Sequence, residues 1–329
     1  MKIIQNNIPV TDDYYICHYF ADNSAFFDIE TTGFSAKTAF VYLIGMAIRR
    51  ENQIEVYQFL AENHKDEEKV LQAFFDKLET IEQLICFNGI GFDIPFLNTR
   101  CKHYSISSPL SDISIIDLYK ITCKLAIFLQ LPNRKQKTLE HFLGITREDI
   151  YTGGELIKIY YAYEKTRDAE AEKLLLLHNF EDVVGMTNLL AIMSYEEVFS
   201  ANIRGITASA KQNELLLILE ASVAFPQTVF YPNEFCDIIC KSSVMQISVP
   251  ILEGKIKYYH ENYKDYYYLP EEDMAIHKSV ASYVDSSHRK KATANTCYTK
   301  IAVTEEFLQN QDSLFSYAAQ LLKKVVPNN

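Results

Sequence analysis

Several features that mark common classes of protein are missing from this chain. There is no excess of positive charge: 32 Lys and Arg residues against 43 Asp and Glu give a formal net charge of −11, which argues against a generally basic nucleic-acid-binding surface. No run approaches the roughly 18 apolar residues of a membrane span, and residues 1–11 lack the apolar core of a signal peptide. The seven cysteines are scattered and odd in number, which favours free thiols in a reducing compartment. We therefore expect a cytoplasmic protein that makes no membrane contact.

Internal repeats and low-complexity linkers are missing as well, so hydrophobic periodicity has to define the organisation. Short apolar runs predict a hairpin-like series of three strands, followed by helices and strands in alternation. The expected strands are 26–29, 40–49, 53–60, 84–87 and 113–118, and the expected helices are 67–78, 92–103, 138–142, 155–164 and 169–195. This order favours an α/β fold in which a mixed five-stranded sheet is flanked by helices.

The pattern changes beyond about residue 202, where helical periodicity gives way to β-branched and tyrosine-rich segments. Strands are expected at 244–251, 255–259, 266–269 and 296–303, with a final helix at 305–325. We therefore expect an N-terminal segment (1–23), an α/β domain (24–200) and a smaller β-rich or α+β domain (201–329).

The most informative feature that is present is the pair Asp28 and Glu30, which precedes Thr-Thr-Gly at 31–33. Side chains alternate along a strand, so both carboxylates point to one side while Phe27 and Ile29 point to the other. Adjacent negative charges are costly unless a cation binds them. A hard divalent ion such as Mg²⁺ or Mn²⁺ suits a site made of oxygen ligands. The pair therefore predicts half of a metal site.

Two later segments offer the missing ligands. Asp93 follows a glycine-containing turn and begins a predicted helix, where it is either a metal ligand or a helix cap. His178 and Asp182 are four residues apart and share one face of a predicted helix. Taken alone, that pair is more typical of a solvated helix face.

Together the three segments resemble the DEDD (DnaQ-like) 3′–5′ exonucleases, which have a ribonuclease H-like fold. The first motif is carried by Asp28 and Glu30, the second by Asn88-x3-Phe92-Asp93, and the third by His178 and Asp182. The wording is most similar to the YprB-type ribonuclease H-like branch. The resemblance covers about residues 24–195 and does not extend to the C-terminal third.

The resemblance implies two-metal hydrolysis of phosphodiester bonds in single-stranded DNA or RNA. Two Mg²⁺ or Mn²⁺ ions would be held by Asp28, Glu30, Asp93 and Asp182, and His178 would deprotonate or orient the attacking water. It also implies substrate contacts from a further set of residues: Thr31, Asn88, Phe92 and Lys137. Asp117, at the end of a strand, either supports the metal ligands or caps the following helix.

The motif departs from the family pattern at one point. In the histidine subclass the histidine precedes the last aspartate by five residues, whereas here the spacing is four, as in the tyrosine subclass. This leaves open whether His178 is positioned as a general base. Two alternative functions also remain open: a catalytically silent nucleic-acid-binding protein, and a structure-selective endonuclease that uses the same ions.

The C-terminal region adds weaker candidates. The spacing of Cys236 and Cys240 invites a zinc site, but no second close pair of ligands follows. The basic segment 288–291 and the tyrosines between 258 and 268 either contact nucleic acid or pack on a sheet. Arg134, Lys135 and Lys137 either contact a phosphate backbone or form a solvated cluster. Protein partners and oligomeric state cannot be predicted from these patterns.

Overall fold

The apolar runs at 26–117 assemble into one mixed sheet in the computed structural model, which describes residues 1–10 and 14–326. Its strands are β1 (Lys2–Pro9), β2 (Ser24–Thr31), β3 (Val41–Arg50), β4 (Gln53–Leu60), β5 (Gln83–Cys86) and β6 (Ser114–Asp117). Their spatial order is β1-β4-β3-β2-β5-β6. The pairs β1–β4, β4–β3 and β3–β2 are antiparallel, whereas β2–β5 and β5–β6 are parallel.

The sheet has one strand more than the five expected, because β1 lies inside the segment 1–23. This strand pairs with β4 from Lys2 opposite Leu60 to Pro9 opposite Gln53. Most of its side chains are exposed, since β1 forms an edge of the sheet. An edge strand needs little apolar character, so hydrophobic periodicity gives no signal for it.

Helices alternate with and follow these strands along the chain. They are α1 (Tyr14–Tyr19), α2 (Glu67–Asp76), α3 (Asp93–Tyr104), α4 (Leu118–Leu125), α5 (Gln136–Leu143), α6 (Gly153–Thr166), α7 (Ala169–Leu189) and α8 (Met193–Phe199). Those expected at 67–78, 92–103, 138–142 and 155–164 have bounds within two residues of the prediction, whereas the helices at 14–19 and 118–125 were not expected. The single helix expected at 169–195 is divided, because one turn of 3₁₀ helix at Leu190–Ile192 separates α7 from α8.

A buried ion pair fixes α3 against α2 and β3. Glu67 is fully buried and accepts hydrogen bonds from Arg100 Nη2 at 2.6 Å and Arg100 Nε at 2.8 Å. The same carboxylate accepts bonds from the Tyr104 hydroxyl and the Val41 amide, each at 2.8 Å. Because every oxygen of this buried charge is paired, it acts as a rigid anchor for the helix that begins at Asp93.

Contacts divide the chain into two compact units. The first unit consists of Met1–Cys123 and Leu131–Met193, and the second consists of Lys124–Gln130 and Ser194–Asn329. The mixed sheet and the helix α7 belong to the first unit. The expected domain limits at residues 23 and 200 stay predictions.

The second unit is β-rich, as its sequence predicts. Its strands are β7 (Ile203–Lys211), β8 (Glu214–Ala221), β9 (Val229–Pro232), β10 (Asp237–Lys241), β11 (Val244–Pro250), β12 (Lys255–Tyr259), β13 (Tyr266–Leu269), β14 (Met274–His277), β15 (Lys290–Lys291) and β16 (Tyr298–Ala302). They form a five-stranded antiparallel sheet (β7-β8-β11-β10-β9), the pair β12–β16 and the three-stranded set β14-β13-β15.

The helices of this unit are α9 (Lys278–Ala281), α10 (Glu305–Gln309) and α11 (Gln311–Val325). One helix was expected at 305–325, but the chain breaks at Asn310, whose side chain accepts a bond from the Ser313 amide at 2.9 Å. An asparagine in this role starts a new helix rather than continuing the old one. Within the described residues, no helix is both long and apolar enough to cross a membrane.

Candidate metal centre

The strand β2 presents the first two carboxylates. Phe27 and Ile29 are buried on one side, while Asp28 and Glu30 are half-buried on the other, as the period-two alternation predicts. The register with β3 shifts between Glu30 and Thr31. Such an irregularity bends a strand and re-aims the side chains that follow it.

Asp93 reaches the same strand from the start of α3. Its side chain is 6% exposed, and Oδ1 accepts a bond from the Ile29 amide at 3.2 Å. The Ile29 amide lies between the two carboxylate-bearing residues of β2. This bond therefore brings Asp93 alongside Asp28 and Glu30, as the motif predicts.

Asp117 shapes the turn that delivers Asp93. Its buried carboxylate accepts bonds from the amides of Asn88 at 2.7 Å and Ile90 at 3.2 Å. It also accepts a bond from the Tyr119 amide at 3.0 Å, which caps α4. Asn88 has a left-handed φ of 67°, a conformation that asparagine tolerates better than most residues. Asp117 thus contacts both the turn and the start of the helix α4, and its support of the metal ligands stays a prediction.

A glycine on β3 allows α7 to approach the sheet at this point. Gly45 pairs with Asp28, and a Cβ atom at Gly45 would lie 2.3 Å from Asn179 Oδ1 and 2.6 Å from Val183 Cγ2. The fully buried Asn179 lies 3.5 Å from Asp28, measured from Nδ2 to Oδ2, and accepts a bond from Gln58 Nε2 at 3.1 Å. The amide of Asn179 therefore connects the helix to the carboxylate of Asp28.

His178 and Asp182 lie on the face of α7 that meets these carboxylates. The His178 Nε2 atom lies 3.1 Å from Asp182 Oδ2 and 3.5 Å from Glu30 Oε1. On the other side of the ring, Nδ1 lies 2.7 Å from Asp149 Oδ2. Asp149 is 7% exposed and also accepts a bond from Lys137 Nζ at 3.4 Å. The imidazole is thus held between the site and a buried carboxylate.

Asp182 contacts the guanidinium of Arg147 as well as the imidazole of His178. Arg147 Nη1 donates to Asp182 Oδ1, while Arg147 Nε donates to Glu140 Oε2 at 2.5 Å and Nη2 donates to Glu140 Oε1. Glu140 is 2% exposed. The guanidinium therefore holds one oxygen of Asp182 and leaves the second beside His178.

The carboxylates raise one another's pKa values. Burial, reinforced by the charges of Asp182 and Asp93, holds the pKa of Asp28 well above its usual value. Burial raises the pKa of Glu30 to about 8, although His178 opposes the change. Burial also raises the pKa of Asp93 to about 7, against the effect of the Ile29 amide. In this arrangement the ionised forms lack sufficient positive charge.

The two basic side chains compensate only part of this charge. Burial alone would lower the pKa of His178, but Asp182, Glu30 and Asp149 outweigh it and raise that pKa to about 9. For Asp182 burial acts to raise the pKa, but His178 and Arg147 lower it. Both cations are shared with further carboxylates, Asp149 and Glu140, so negative charge remains.

The donor set fits a divalent cation. Among the described residues, the metal-ligating atoms of Glu30, His178 and Asp182 form the one group of three that lies within 4.8 Å. Asp28 and Asp93 add carboxylate oxygens beside it. Oxygen-rich sites with an excess of negative charge bind hard divalent ions, and such an ion would restore the ionised state of the buried carboxylates.

The residues predicted to contact substrate lie around the site with different exposures. Asn88 and Lys137 are exposed, while Thr31 and Phe92 are half-buried. The Thr31 hydroxyl donates to the Gly33 carbonyl at 2.9 Å, within the turn that follows β2. Their contacts with a substrate stay predictions.

Several residues of the site have no signal in the sequence motifs. They are Gly45, Gln58, Glu140, Arg147, Asp149 and Asn179. Asn179 lies between His178 and Asp182 of the third motif, but the motif assigns no role to it. Phe34, which directly follows Thr-Thr-Gly at 31–33, was also not identified from the sequence. Its side chain is 92% exposed, and its ring centroid lies 6.3 Å from that of Phe92 in an edge-to-face arrangement. An exposed phenylalanine beside a site is a detectable signal only once the site is known.

Among the described residues, Cys236 and Cys240 do not belong to a group of metal-ligating side chains. Both are buried, and Cys236 accepts a bond from Asn233 Nδ2 at 3.6 Å between donor and sulfur. Within the part of the chain that the structure describes, no group of three ligands includes either cysteine. Their burial identifies them as packing residues, so the zinc alternative gains no support.

Comparison with protein families shows that residues 25–194 match the RNase_H superfamily. The match spans more than half of the chain, and the protein therefore belongs to this superfamily. The ribonuclease H-like fold expected from the three motifs is confirmed.

Several solved structures are similar to this chain at low identity. A family B DNA polymerase from the hyperthermophilic archaeon Pyrobaculum calidifontis is 17% identical with a TM-score of 0.42, over 54% of this chain and 25% of the polymerase. The chain thus spans a quarter of that polymerase. A product-bound exonuclease I is 11% identical with a TM-score of 0.30, over 93% of this chain and 73% of that one.

A zinc-bound complex of E. coli exonuclease I with single-stranded DNA is 12% identical with a TM-score of 0.32, over 92% of this chain and 72% of that one. At these values, structural similarity by itself assigns no activity to this chain. No curated protein matches it.

Proposed function

We propose that this protein is a metal-dependent 3′–5′ exonuclease that hydrolyses phosphodiester bonds at the ends of single-stranded DNA or RNA. The observation that carries the proposal is the meeting of Asp28, Glu30 and Asp93 with His178 and Asp182 in a fold of the RNase_H superfamily. All four acidic residues of the DEDD pattern are present, which argues against a silent descendant. We expect the protein to act in the cytoplasm, as its cysteine content predicts.

The four carboxylates are proposed to hold two Mg²⁺ or Mn²⁺ ions, with Asp28 as the shared ligand. Bound ions would supply Lewis-acid stabilisation of the attacking and leaving oxygens. Asn179 and the Ile29 amide hold the carboxylates of Asp28 and Asp93 in place through hydrogen bonds. Ligands fixed in this way lose little conformational freedom when they bind a metal.

His178 is proposed to orient the attacking water and to accept its proton. Asp149 is ionised, since its pKa is lowered by the Tyr151 amide and by His178 against the effect of burial. An ionised Asp149 therefore accepts a hydrogen bond from Nδ1 of the imidazole, which leaves Nε2 facing Glu30 and Asp182. Without cations the carboxylates raise the pKa of His178 to about 9, so the imidazole carries a proton on both nitrogens. Bound metal ions would lower that pKa, and the neutral tautomer with its proton on Nδ1 is the one in which Nε2 can take a proton.

The surroundings of the site support a nucleic-acid substrate. The exposed ring of Phe34 packs edge-to-face against the half-buried Phe92, and a terminal base can stack on it. Thr31 and Asn88 lie in the turns that carry the ligands, and Lys137 offers an exposed ammonium for a phosphate. The base-stacking role of Phe34 and the phosphate contact of Lys137 are part of the proposal.

The proposal is tested by hydrolysis of 5′-labelled single-stranded DNA and RNA with Mg²⁺ or Mn²⁺. The wild-type chain should shorten the strand stepwise from the 3′ end, and chelation of the metal should stop the reaction. Asp28→Asn changes one oxygen for nitrogen and should reduce the rate by about 10²–10³-fold, the usual loss for a group that stabilises the transition state. Asp237→Asn, an exposed change on β10, serves as the matched control and should leave the rate unchanged.

Other cleavage patterns would contradict the proposal in distinct ways. Internal cuts would assign the site to an endonuclease. Binding of both polymers without cleavage would assign the protein to the silent nucleic-acid-binding class. Shortening from the 5′ end would reverse the proposed polarity.

A further inference from the structure

A cavity of about 320 Å³ lies within the second unit, separate from the residues of the metal centre. One side of the cavity is formed by Tyr259 at the end of β12 and by His260, Glu261 and Tyr263 after it. The helix α11 contributes Gln320, Lys323 and Lys324, and Ala294 completes the lining. The volume is at the lower end of the range of small-ligand sites. None of these residues takes part in the proposed hydrolysis.

Gln320 provides the observation that points to a ligand. It is 7% exposed, and its Oε1 atom accepts a bond from the Tyr259 amide at 3.0 Å. Its Nε2 atom is buried and finds no hydrogen-bond partner among the described residues. A buried donor without a partner is destabilising, because it loses its hydrogen bonds to water and gains none in return. Because Gln320 lines the cavity, a molecule bound there would supply the missing acceptor.

The charged groups around the cavity indicate the sign of the ligand. Lys324 Nζ donates to Ala294 O at 2.6 Å and to Asn295 Oδ1 at 2.9 Å, which leaves one of its three protons for a ligand. Lys323 Nζ pairs with Glu261 at 2.5 Å. Two ammonium groups and one amide donor face a single carboxylate, so the cavity favours an anionic acceptor such as a phosphate.

Aromatic rings supply the second half of the recognition. Tyr259 and Tyr263 line the cavity beside His260, and Tyr263 is 40% exposed. The Lys324 ammonium lies 5.1 Å from the Tyr259 ring centroid, so that charge and aromatic surface are adjacent. Planar bases stack on such rings while the phosphate meets the cations.

We infer that this cavity binds one nucleotide unit, with its phosphate at Lys323, Lys324 and Gln320 Nε2 and its base against Tyr263. The inference rests on the proposed function, since a nuclease meets nucleotides both as part of a strand and as free product. The shared chemistry is the phosphate and the base. The experiment distinguishes the two sources.

The test uses the full chain carrying Asp28→Asn, so that strands are not consumed during measurement. Two probes are titrated: a 5′-fluorescein-labelled 20-mer of thymidylate, followed by anisotropy, and thymidine 5′-monophosphate, followed by calorimetry. Gln320→Glu keeps the acceptor for the Tyr259 amide but replaces the free donor by a negative oxygen. Tyr263→Ala removes the ring, while Tyr263→Phe retains it. Lys241→Ala is an exposed lysine control on β10.

We expect Gln320→Glu and Tyr263→Ala each to weaken binding of one probe by about tenfold, within the range for loss of one stacked base. Tyr263→Phe and Lys241→Ala should bind like the parent, and melting temperatures should agree. A loss confined to the 20-mer identifies a strand segment, and a loss confined to the monophosphate identifies free nucleotide.

Unchanged binding of both probes in Gln320→Glu and Tyr263→Ala would overturn the inference. Binding of an Asp- and Glu-rich peptide that neither probe displaces would also overturn it, in favour of a protein partner. If the wild-type chain cleaves the strand but these variants bind both probes unchanged, the cavity assignment is refuted and the proposed hydrolysis stands. If these variants weaken binding but the wild-type chain cleaves neither polymer, the proposed hydrolysis is refuted and the cavity assignment stands.

Discussion

His178 is held from both sides, and this distinguishes it from a histidine that merely lies near carboxylates. Its Nδ1 atom lies 2.7 Å from Asp149, and its Nε2 atom lies 3.1 Å from Asp182. The four-residue spacing to Asp182, which departs from the histidine subclass, keeps both side chains on one face of α7. The unusual spacing therefore does not remove the imidazole from the site.

Asp149→Asn is predicted to lower the rate of hydrolysis about 10–100-fold, the usual cost of losing a partner that orients a functional side chain. The amide can turn its NH₂ group toward Nδ1, which would favour the wrong tautomer of His178. The rate is measured on 5′-labelled single-stranded DNA, with metal affinity followed in parallel. Glu148→Gln changes an exposed neighbour in the same loop and should have no effect. Equal rates in Asp149→Asn and wild type would remove Asp149 from the account.

Gly45→Ala is predicted to destabilise the first unit by about 1–3 kcal/mol, as expected for overpacking. The added Cβ would lie 2.3 Å from Asn179 Oδ1, so α7 or β3 has to move. Hydrolysis should fall as well, because Asn179 contacts Asp28. Urea unfolding followed by circular dichroism measures the loss.

Gly154→Ala is the matched control for this substitution. A Cβ at Gly154, in the first turn of α6, meets nothing within 4 Å, so stability should stay the same or rise by about 0.5–1 kcal/mol. Equal unfolding curves for Gly45→Ala and wild type would show that α7 does not depend on a close approach to β3.

At the scale of elements, the site depends on a short turn between β5 and α3. Three backbone amides, those of Asn88, Ile90 and Tyr119, donate to the single carboxylate of Asp117. The turn places Asp93 against the Ile29 amide. We therefore propose that Asp117 positions Asp93, a proposed metal ligand, through the backbone rather than through direct contact.

Asp117→Ala is predicted to lower stability by roughly 1–3 kcal/mol, because the amides lose a buried partner, and to weaken Mn²⁺ binding. Asp112→Ala changes an exposed aspartate that precedes β6 and should change neither quantity. Calorimetric titration with Mn²⁺ and thermal unfolding measure the two effects. Retained Mn²⁺ affinity in a destabilised Asp117→Ala would restrict this residue to a helix cap.

The elements differ in how far the sequence predicts them. The strands β2 to β4 come from clear apolar runs, so their expected bounds agree with the structure within two residues, whereas the helix expected at 169–195 ends at Leu189. The strand β1 is polar and pairs only at the sheet edge, so its position depends on β4 rather than on its own pattern. Asp149 and Arg147 lie in a loop whose position depends on tertiary packing, which hydrophobic periodicity does not report.

At the scale of the whole molecule, the net charge of −11 has to be reconciled with the proposed polyanionic substrate. Four of the acidic side chains converge on one site, where burial opposes their ionisation. Divalent cations at this site would convert a repulsive surface into one that attracts phosphate. We therefore expect the divalent cations to bind before the nucleic-acid strand does.

The measurement that tests this central claim most directly is Mn²⁺ binding by the wild-type chain and by Asp28→Asn, followed by calorimetry. We predict saturable binding of two ions to the wild-type chain and at least a tenfold weaker affinity in Asp28→Asn, with Asp237→Asn unchanged. Identical Mn²⁺ affinity and stoichiometry in the wild-type chain and Asp28→Asn would contradict the assignment of these carboxylates as a metal centre.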